Sequence, residues 1–314
     1  NIVDSIFVAQ LSENALTAVS MAFPIQNLMI GMATGIGVGM NAFVSKNLGQ
    51  HNQEGVNKSA LHGIFLELIN YLIFLCIGLF VVNKFMKTQT NIAEIVDSGT
   101  TYLRIVCICS FGIFTQVSFE RLLQSTGKTL LSMTTQLTGA IINIILDPIL
   151  IFGLFGMPKL GIAGAAIATV IGQIIAGIFA VVLNIKKNKE IHLHLKGFKL
   201  EKKYIGRILY VGVPSVLMVA IGSVMSYGMN LILMTFSSTA VAVFGAYYKL
   251  QSFVFMPIFG LNNGMVPIVS FNLGAKNKDR LVKTVKLGVC YAVGIMLIGL
   301  VIIQAMPGTL LKMF

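Results

Sequence analysis

The sequence predicts an all-α integral membrane protein built from two parallel repeats. Hydrophobic residues make up 56% of the 314 residues and charged residues only 11%, whereas a soluble domain carries about 25% charged residues. Apolar stretches of about 20 residues or more, long enough to cross a hydrocarbon core as helices, recur along the chain. In addition, the segment Val-Ser-Lys-Asn-Leu-Gly at 44–49 returns with one substitution at 269–274. Duplication in so apolar a chain is typical of transporters.

Nine apolar segments are predicted to be transmembrane helices. The first is the end of a span at 1–11, and the others lie near 16–45, 59–83, 98–123, 129–154, 161–184, 205–236, 240–271 and 284–305. Two of them exceed the usual length of a span, so we expect them to be tilted or to extend into the membrane interface.

The repeat divides the chain into two predicted lobes. Six spans separate the two copies, and because this number is even, both copies have the same orientation in the membrane. We predict an N-terminal lobe at 1–184, a lysine-rich cytoplasmic linker at 185–203 and a C-terminal lobe at 204–314. The position of the repeat within each lobe predicts that roughly 20 residues precede this segment and roughly 95 follow it in the full protein.

The net charge of +12 is interpreted as a signal of membrane topology. Lysine and arginine concentrate in every second connection, which is the positive-inside pattern, so these connections are predicted to be cytoplasmic. The lipid bilayer is therefore the expected partner, and no nucleic-acid partner is expected. We also expect no enzyme activity, because no zinc-protease motif or nucleophile elbow is present and all four histidines lie in or beside cytoplasmic loops.

Two acidic residues are predicted to lie within the membrane, where a charge costs about 2.5 to 3.5 kcal/mol on insertion scales. They are Asp4 and Asp147. Asn143 lies one helical turn before Asp147, and Pro148 leaves the Ile144 carbonyl without its intrahelical donor. Carboxylate, amide and carbonyl oxygens within one turn could form a cage for Na⁺ or hold a proton instead.

These oxygens predict a site for a coupling cation or proton at Asp4, Asn143 and Asp147. If Asp4 and Asp147 face one another, both cannot ionise in a medium of low dielectric without a cation, and the pair titrates as a unit. The alternative is structural: Asp147 caps a helix kink, and Asp4 pairs with a cation or a polar neighbour.

Other polar side chains inside the predicted spans are candidates for the same site or for a cavity. Thr169 and Gln173 share one face of a span, so Thr169 is predicted as a fourth site residue and Gln173 as a cavity residue. Hydrogen bonding between helices is the alternative. Further cavity candidates are Gln26, its repeat equivalent Gln251, and Lys249.

The repeat also indicates what the two lobes share and what they do not. Gly35 and Gly39 are spaced as a close helix crossing requires, and Gly260 and Gly264 repeat this spacing. The acid is not repeated, because Met229 stands at the position equivalent to Asp4. Ion coupling is therefore predicted in the first lobe. Glu120 and Arg121, which are near the end of a span, are expected to be interfacial.

Beyond these residues, the sequence resembles the MATE (multidrug and toxic compound extrusion) family of the bacterial type. The resemblance covers essentially the whole chain. It rests on the segments Val-Asp-Ser-Ile-Phe-Val at 3–8, Ala-Phe-Pro-Ile-Gln at 22–26, Gln-Ser-Thr-Gly-Lys at 124–128, Asn-Ile-Ile-Leu-Asp-Pro at 143–148, Gly-Ala-Ala-Ile-Ala-Thr at 164–169 and Met-Val-Pro-Ile-Val-Ser-Phe-Asn-Leu-Gly at 265–274.

The resemblance implies twelve spans in two six-helix lobes, of which about nine are present and the last three are missing from this chain. It implies an antiporter of the bacterial cell membrane that exports small cationic or amphipathic molecules in exchange for H⁺ or Na⁺, with no other cofactor. Asp4, Asn143 and Asp147 match the first-lobe cation site of prokaryotic members, with Thr169 as a fourth residue. We expect a monomer.

Two other functions are compatible with such a chain. A lipid-linked precursor flippase of the same superfamily would be expected to line its cavity with basic residues for a pyrophosphate, whereas intramembrane cations are few here. The second alternative is a membrane scaffold that transports nothing, which an efflux assay in vesicles would distinguish.

Overall fold

The computed structural model describes residues 2–193, 198–234 and 238–305, and the regular secondary structure within these ranges is helical throughout. The α-helices in these ranges are α1 (Ile2–Ala9), α2 (Glu13–Gly49), α3 (Gln53–Cys76), α4 (Val82–Gln89), α5 (Ala93–Ile108), α6 (Phe111–Ser125), α7 (Thr129–Phe152), α8 (Ile162–Lys187), α9 (Lys202–Met234), α10 (Ser238–Gly274) and α11 (Lys278–Ala305).

Each predicted span coincides with a helix or with joined helices. Helices α3 and α4 continue one another through a π-helical segment at Ile77–Val81, and α5 and α6 form an apolar pair with a bend of 45° between them. Within the described ranges, seven helical spans are long and apolar enough to cross a membrane, and the bent pair makes an eighth. Helix α1, of eight residues, coincides with the first predicted apolar segment. The predicted all-α membrane fold is confirmed.

The two copies of the Asn-Leu-Gly segment end their helices in the same turn. After α2, the amide of Asn52 donates to the Asn47 carbonyl at 3.0 Å, and after α10 the amide of Asn277 donates to the Asn272 carbonyl at 2.9 Å. His51 and Lys276, which are equivalent in the repeat, both have positive φ angles, 54° and 55°. A residue in this left-handed conformation ends the helix and turns the chain sharply away from its axis.

The described chain forms two compact units. The first comprises Asn1–Val44 and Glu54–Val216, and the second comprises Ser45–Gln53 and Leu217–Phe314. The division falls within α9, whereas the lobe boundaries were predicted from the polar linker at 185–203. The described part of that linker belongs to the first unit because its side chains and backbone bind to α3, as set out below. The predicted limits of the lobes stay a prediction.

Glycine permits a close crossing of α2 and α9 in the first unit. A Cβ atom placed on Gly39 would lie 2.2 Å from the Ile208 carbonyl oxygen, and one on Gly35 would lie 2.3 Å from the Val216 side chain. Backbones can approach this closely only where a side chain is absent. At the equivalent Gly260 and Gly264 of α10, an added Cβ would meet no atom of the described chain within 4 Å.

A second glycine crossing lies within the second unit and joins the two copies of the repeat. A Cβ on Gly49 would lie 2.0 Å from the Phe271 carbonyl oxygen, and a Cβ on Gly274 would lie 2.0 Å from the Lys46 carbonyl oxygen. Gly49 and Gly274 are equivalent in the repeat, as are Lys46 and Phe271. Each copy therefore supplies the glycine that accommodates the backbone of the other.

The start of α9 and the residues before it are held against α3 by a buried histidine. The Nδ1 of His62 lies 2.7 Å from the Lys58 carbonyl, and its Nε2 lies 2.9 Å from the Glu201 amide. A carbonyl only accepts and an amide only donates, so Nδ1 carries the proton and Nε2 accepts. The His62 ring stacks on Tyr204, and the Lys58 ammonium forms a 2.7 Å ion pair with Glu201.

Replacing His62 with phenylalanine is expected to release this segment. Phenylalanine retains the stacking on Tyr204 but loses both hydrogen bonds, each worth about 1 kcal/mol, so local opening should increase by about tenfold or more. Limited trypsin digestion of the folded protein should then cleave after Lys199 faster than in the wild type. His192→Ala is the matched control, because His192 contacts α3 through its backbone amide. An unchanged cleavage rate in His62→Phe would contradict this account.

Candidate functional site

Three helices of the first unit bring the four predicted site residues together. Asp4 lies on α1, Asn143 and Asp147 on α7, and Thr169 on α8. Asn143 Nδ2 donates to Asp147 Oδ1 at 3.3 Å and to the Thr169 hydroxyl at 3.4 Å, and that hydroxyl lies 3.4 Å from Asp4 Oδ2. Asp147 is fully buried, and Asp4 and Thr169 are only 5% and 7% exposed.

The helical spacing and the helix crossing together explain this arrangement. Asn143 and Asp147 are four residues apart, so they share one face of α7. That face crosses α8 at two glycines: a Cβ on Gly172 would lie 2.8 Å from the Gly139 carbonyl oxygen and 3.3 Å from Asn143 Cβ. Because α8 approaches so closely, Thr169, one turn before Gly172, comes within reach of the Asn143 amide.

The proton of the Thr169 hydroxyl has two acceptors within reach. The Ala165 carbonyl lies at 3.0 Å, one turn back on α8, and Asp4 Oδ2 lies at 3.4 Å. A hydroxyl has one proton and two lone pairs. When the hydroxyl donates its proton to the Ala165 carbonyl, its oxygen has a lone pair on the side of the Asp4 carboxyl group, where a cation could bind. The site can therefore offer oxygen atoms from Asp4, Asp147 and Thr169 to one cation.

A tyrosine that was not predicted completes the surroundings of the acidic pair. Tyr102 of α5 is 2% exposed and lies near Gln26 and the two acids, Asp4 and Asp147. This proximity also connects the predicted cavity residue Gln26, which is 3% exposed, to the site. A phenolic hydroxyl inside an apolar span was the signal in the sequence.

A cavity of about 340 Å³ opens from the site within the first unit. Its walls come from α1, α2, α6, α7 and α8, and they include the predicted residue Gln173, whose Oε1 is buried and accepts no hydrogen bond from the described residues. The lining residues are Asp4, Thr34, Ile113, Gln116, Val117, Glu120, Arg121, Gln136, Gly139, Ala140, Asn143, Thr169, Gly172 and Gln173.

The prediction that Glu120 and Arg121 are interfacial was wrong. They are 4% and 7% exposed, and both line the cavity. The physical reason is that α6 packs along α7 and α8, which cover its last turns. Arg121 donates to Gln124 at 2.8 Å.

The two remaining cavity candidates belong to α10 of the second unit. Gln251 is half-buried on α10, in the second unit. The side chain of Lys249 lies outside the described residues. Met229, which stands where the repeat would place an acid, is 37% exposed on α9.

The class of protein follows from these features. Several apolar spans enclose a buried acidic pair that opens into a polar cavity, which is the architecture of a membrane transporter. The chain belongs to the MatE family, because the family matches residues 1–149 and 214–314. It is a multi-pass protein of the bacterial plasma membrane.

Several curated relatives are named as export proteins. Multidrug export protein MepA of Staphylococcus haemolyticus (strain JCSC1435) is 30% identical over 275 residues, which are 88% of this chain and 60% of the relative. The protein of the same name from Staphylococcus aureus (strain MSSA476) is 27% identical over 290 residues, 90% of this chain and 61% of the relative. The chain thus spans about 60% of the length of these relatives, and neither name describes an enzyme.

Solved structures share the fold. A multidrug resistance MATE family transporter of the MOP superfamily, in an outward-facing conformation, superposes with a TM-score of 0.92 at 24% identity. A MOP superfamily transporter from Pyrococcus furiosus superposes with a TM-score of 0.91, also at 24% identity. Each comparison covers 100% of this chain and 69% of the other.

Proposed function

We propose that the full-length protein is a secondary antiporter that exports small organic cations in exchange for H⁺ or Na⁺. The observation that carries this proposal is the buried pair Asp4 and Asp147, which Thr169 and Asn143 bridge. The names of the bacterial relatives support the export of drugs.

Repulsion between the two carboxylates of the acidic pair favours the binding of a coupling ion. Two carboxylates in a region of low dielectric repel each other, so one of them takes up a proton or the two share a cation. Carboxylate and hydroxyl oxygens are ligands that suit Na⁺, and the same atoms can hold a proton. Occupancy of the pair determines whether α1, α7 and α8 repel or attract one another at this point.

This change in attraction provides a route from ion binding to alternating access. An ion shifts the balance between inward-open and outward-open states only if it binds one state more tightly. The site is built from side chains on three different helices, so a rearrangement of these helices changes its affinity. We propose that H⁺ or Na⁺ binding at the pair favours release of the drug to the outside.

The charge of the cavity supports cations as substrates in preference to a lipid-linked pyrophosphate. Its charged lining residues are Asp4, Glu120 and Arg121. Two acidic groups against one basic group favour a positively charged ligand. A flippase for an anionic head group would need the opposite balance.

The test is gradient-driven transport by the full-length protein in lipid vesicles. Ethidium, an organic monocation, should move against its own gradient when an H⁺ or Na⁺ gradient is imposed in the opposite direction. The two gradients are applied separately, and a membrane potential without either gradient is the control. Ethidium movement that is independent of both gradients would refute ion-coupled antiport.

A further inference from the structure

We propose that Glu120 is the anionic anchor for the positively charged group of the exported molecule, at a subsite separate from the Asp4–Asp147 pair. The inference rests on the proposed function and assigns the two ligands of the antiporter to different carboxylates of one cavity. Its starting point is a buried acid that ion coupling at the pair leaves without a role.

The carboxylate of Glu120 is held by neutral donors from two helices. Oε1 accepts from the Gln116 amide at 3.0 Å, and Oε2 accepts from the Gln136 amide at 2.9 Å. The Thr135 hydroxyl lies 2.9 Å from Oε1 and 2.7 Å from the Ser132 carbonyl, so its single proton has two acceptors. The two amide donors fix the position of the carboxyl group and offset part of the cost of burying it. They do not neutralise its charge.

Within the described residues, Glu120 forms no ion pair. The nearby Arg121 acts on it electrostatically, but its guanidinium donates to Gln124 instead. A carboxylate that is 4% exposed and has no ion-pair partner is costly to maintain in a protein interior. A positively charged ligand in the adjoining cavity would provide the missing partner.

The shape and lining of the cavity suit an organic cation. Its volume of about 340 Å³ falls within the range of small-molecule sites, which is about 300 to 1,000 Å³. The cavity wall also carries apolar and small groups from Ile113, Val117 and Ala140, together with amides from Gln116 and Gln136. Apolar groups close to the Glu120 carboxylate match a molecule that has an apolar body and a cationic centre.

The subsite lies well away from the acidic pair. Glu120 contacts Gln136, which precedes Asp147 by three helical turns on α7, or roughly 16 Å at 1.5 Å per residue. A proton or Na⁺ at the pair therefore leaves the charge of Glu120 available. Ion and drug need not compete for one carboxylate, and their exchange follows from conformational change.

The test measures equilibrium binding of tetraphenylphosphonium, an apolar monocation, to the purified full-length protein. Glu120→Gln should raise its Kd at least about tenfold, which is about 1.4 kcal/mol. Glu120→Asp, which retains the charge, should recover part of the affinity. Glu54→Gln removes the same charge from an exposed helix start, so its Kd should stay within about twofold of the wild type.

A second variant tests the inference independently of whether Glu120→Gln folds. Gln136 is exposed and donates to Glu120, so Gln136→Lys places an ammonium group beside the carboxylate and should also raise the Kd about tenfold. A wild-type Kd in either folded variant would overturn the subsite. If Glu120-dependent binding is found but no ion gradient drives transport, then the antiport proposal fails and the subsite stands.

Discussion

Asp147→Asn in the full-length protein is expected to abolish ion-driven export while leaving membrane insertion intact. Asparagine has nearly the same shape as aspartate and can accept from Asn143 as Asp147 does at 3.3 Å. It can neither ionise nor take up a proton, so Asp4 would no longer share a proton or Na⁺ with a second carboxyl group. The measurement is ethidium efflux from energised vesicles, which should fall to the level of protein-free vesicles.

The matched control makes the same chemical change outside the site. Asp97 is exposed on α5, so Asp97→Asn should transport at the wild-type rate. Binding of tetraphenylphosphonium to Asp147→Asn should persist, because Glu120 is unchanged. Undiminished efflux by Asp147→Asn would show that the acidic pair is not the coupling site.

Gly172→Val is expected to abolish export by separating α8 from α7. A Cβ at this position already lies 2.8 Å from the Gly139 carbonyl oxygen, which cannot move without its helix, and valine adds two methyl groups. Overpacking of this kind costs about 1 to 3 kcal/mol. The shift would also break the 3.4 Å contact between Asn143 and Thr169. Efflux should be lost, and the melting temperature should fall.

Gly206→Val on α9 is the control for this substitution. An added Cβ there meets no described atom within 4 Å, so both efflux and melting temperature should stay close to those of the wild type. If Gly172→Val melts and transports as the wild type does, then the close crossing is not what positions Thr169 and Asn143.

The sequence predicted the spans because an apolar stretch of sufficient length has few alternatives to a transmembrane helix. It also predicted the Asn143–Asp147 face, because residues four apart on a helix are neighbours. Asp4 and Thr169 were predicted from their polarity in apolar segments, and their meeting on α1 and α8 is a product of tertiary packing. A sequence pattern predicts which residues share a face of one helix better than it predicts which helices pack against one another.

Glu120 and Tyr102 show where that reasoning failed. Glu120 was interpreted as interfacial because it lies near the end of an apolar stretch, but the exposure of a helix end depends on its neighbours. Tyr102 was not singled out because an aromatic side chain fits an apolar span without explanation. Only the three-dimensional packing shows that Tyr102 lies near Gln26 and the two acids.

The reciprocal crossing of Gly49 and Gly274 has the form of an isologous contact, in which one surface patch serves both partners of a two-fold homodimer. A half-length ancestor could have made this contact with a second copy of itself, and fusion would have preserved it. Residues on such a pseudo-axis constrain one another, whereas residues away from it can diverge. At the equivalent positions of Asp4 and Met229 the two copies carry different residues, so the acid is present in one copy of the repeat only.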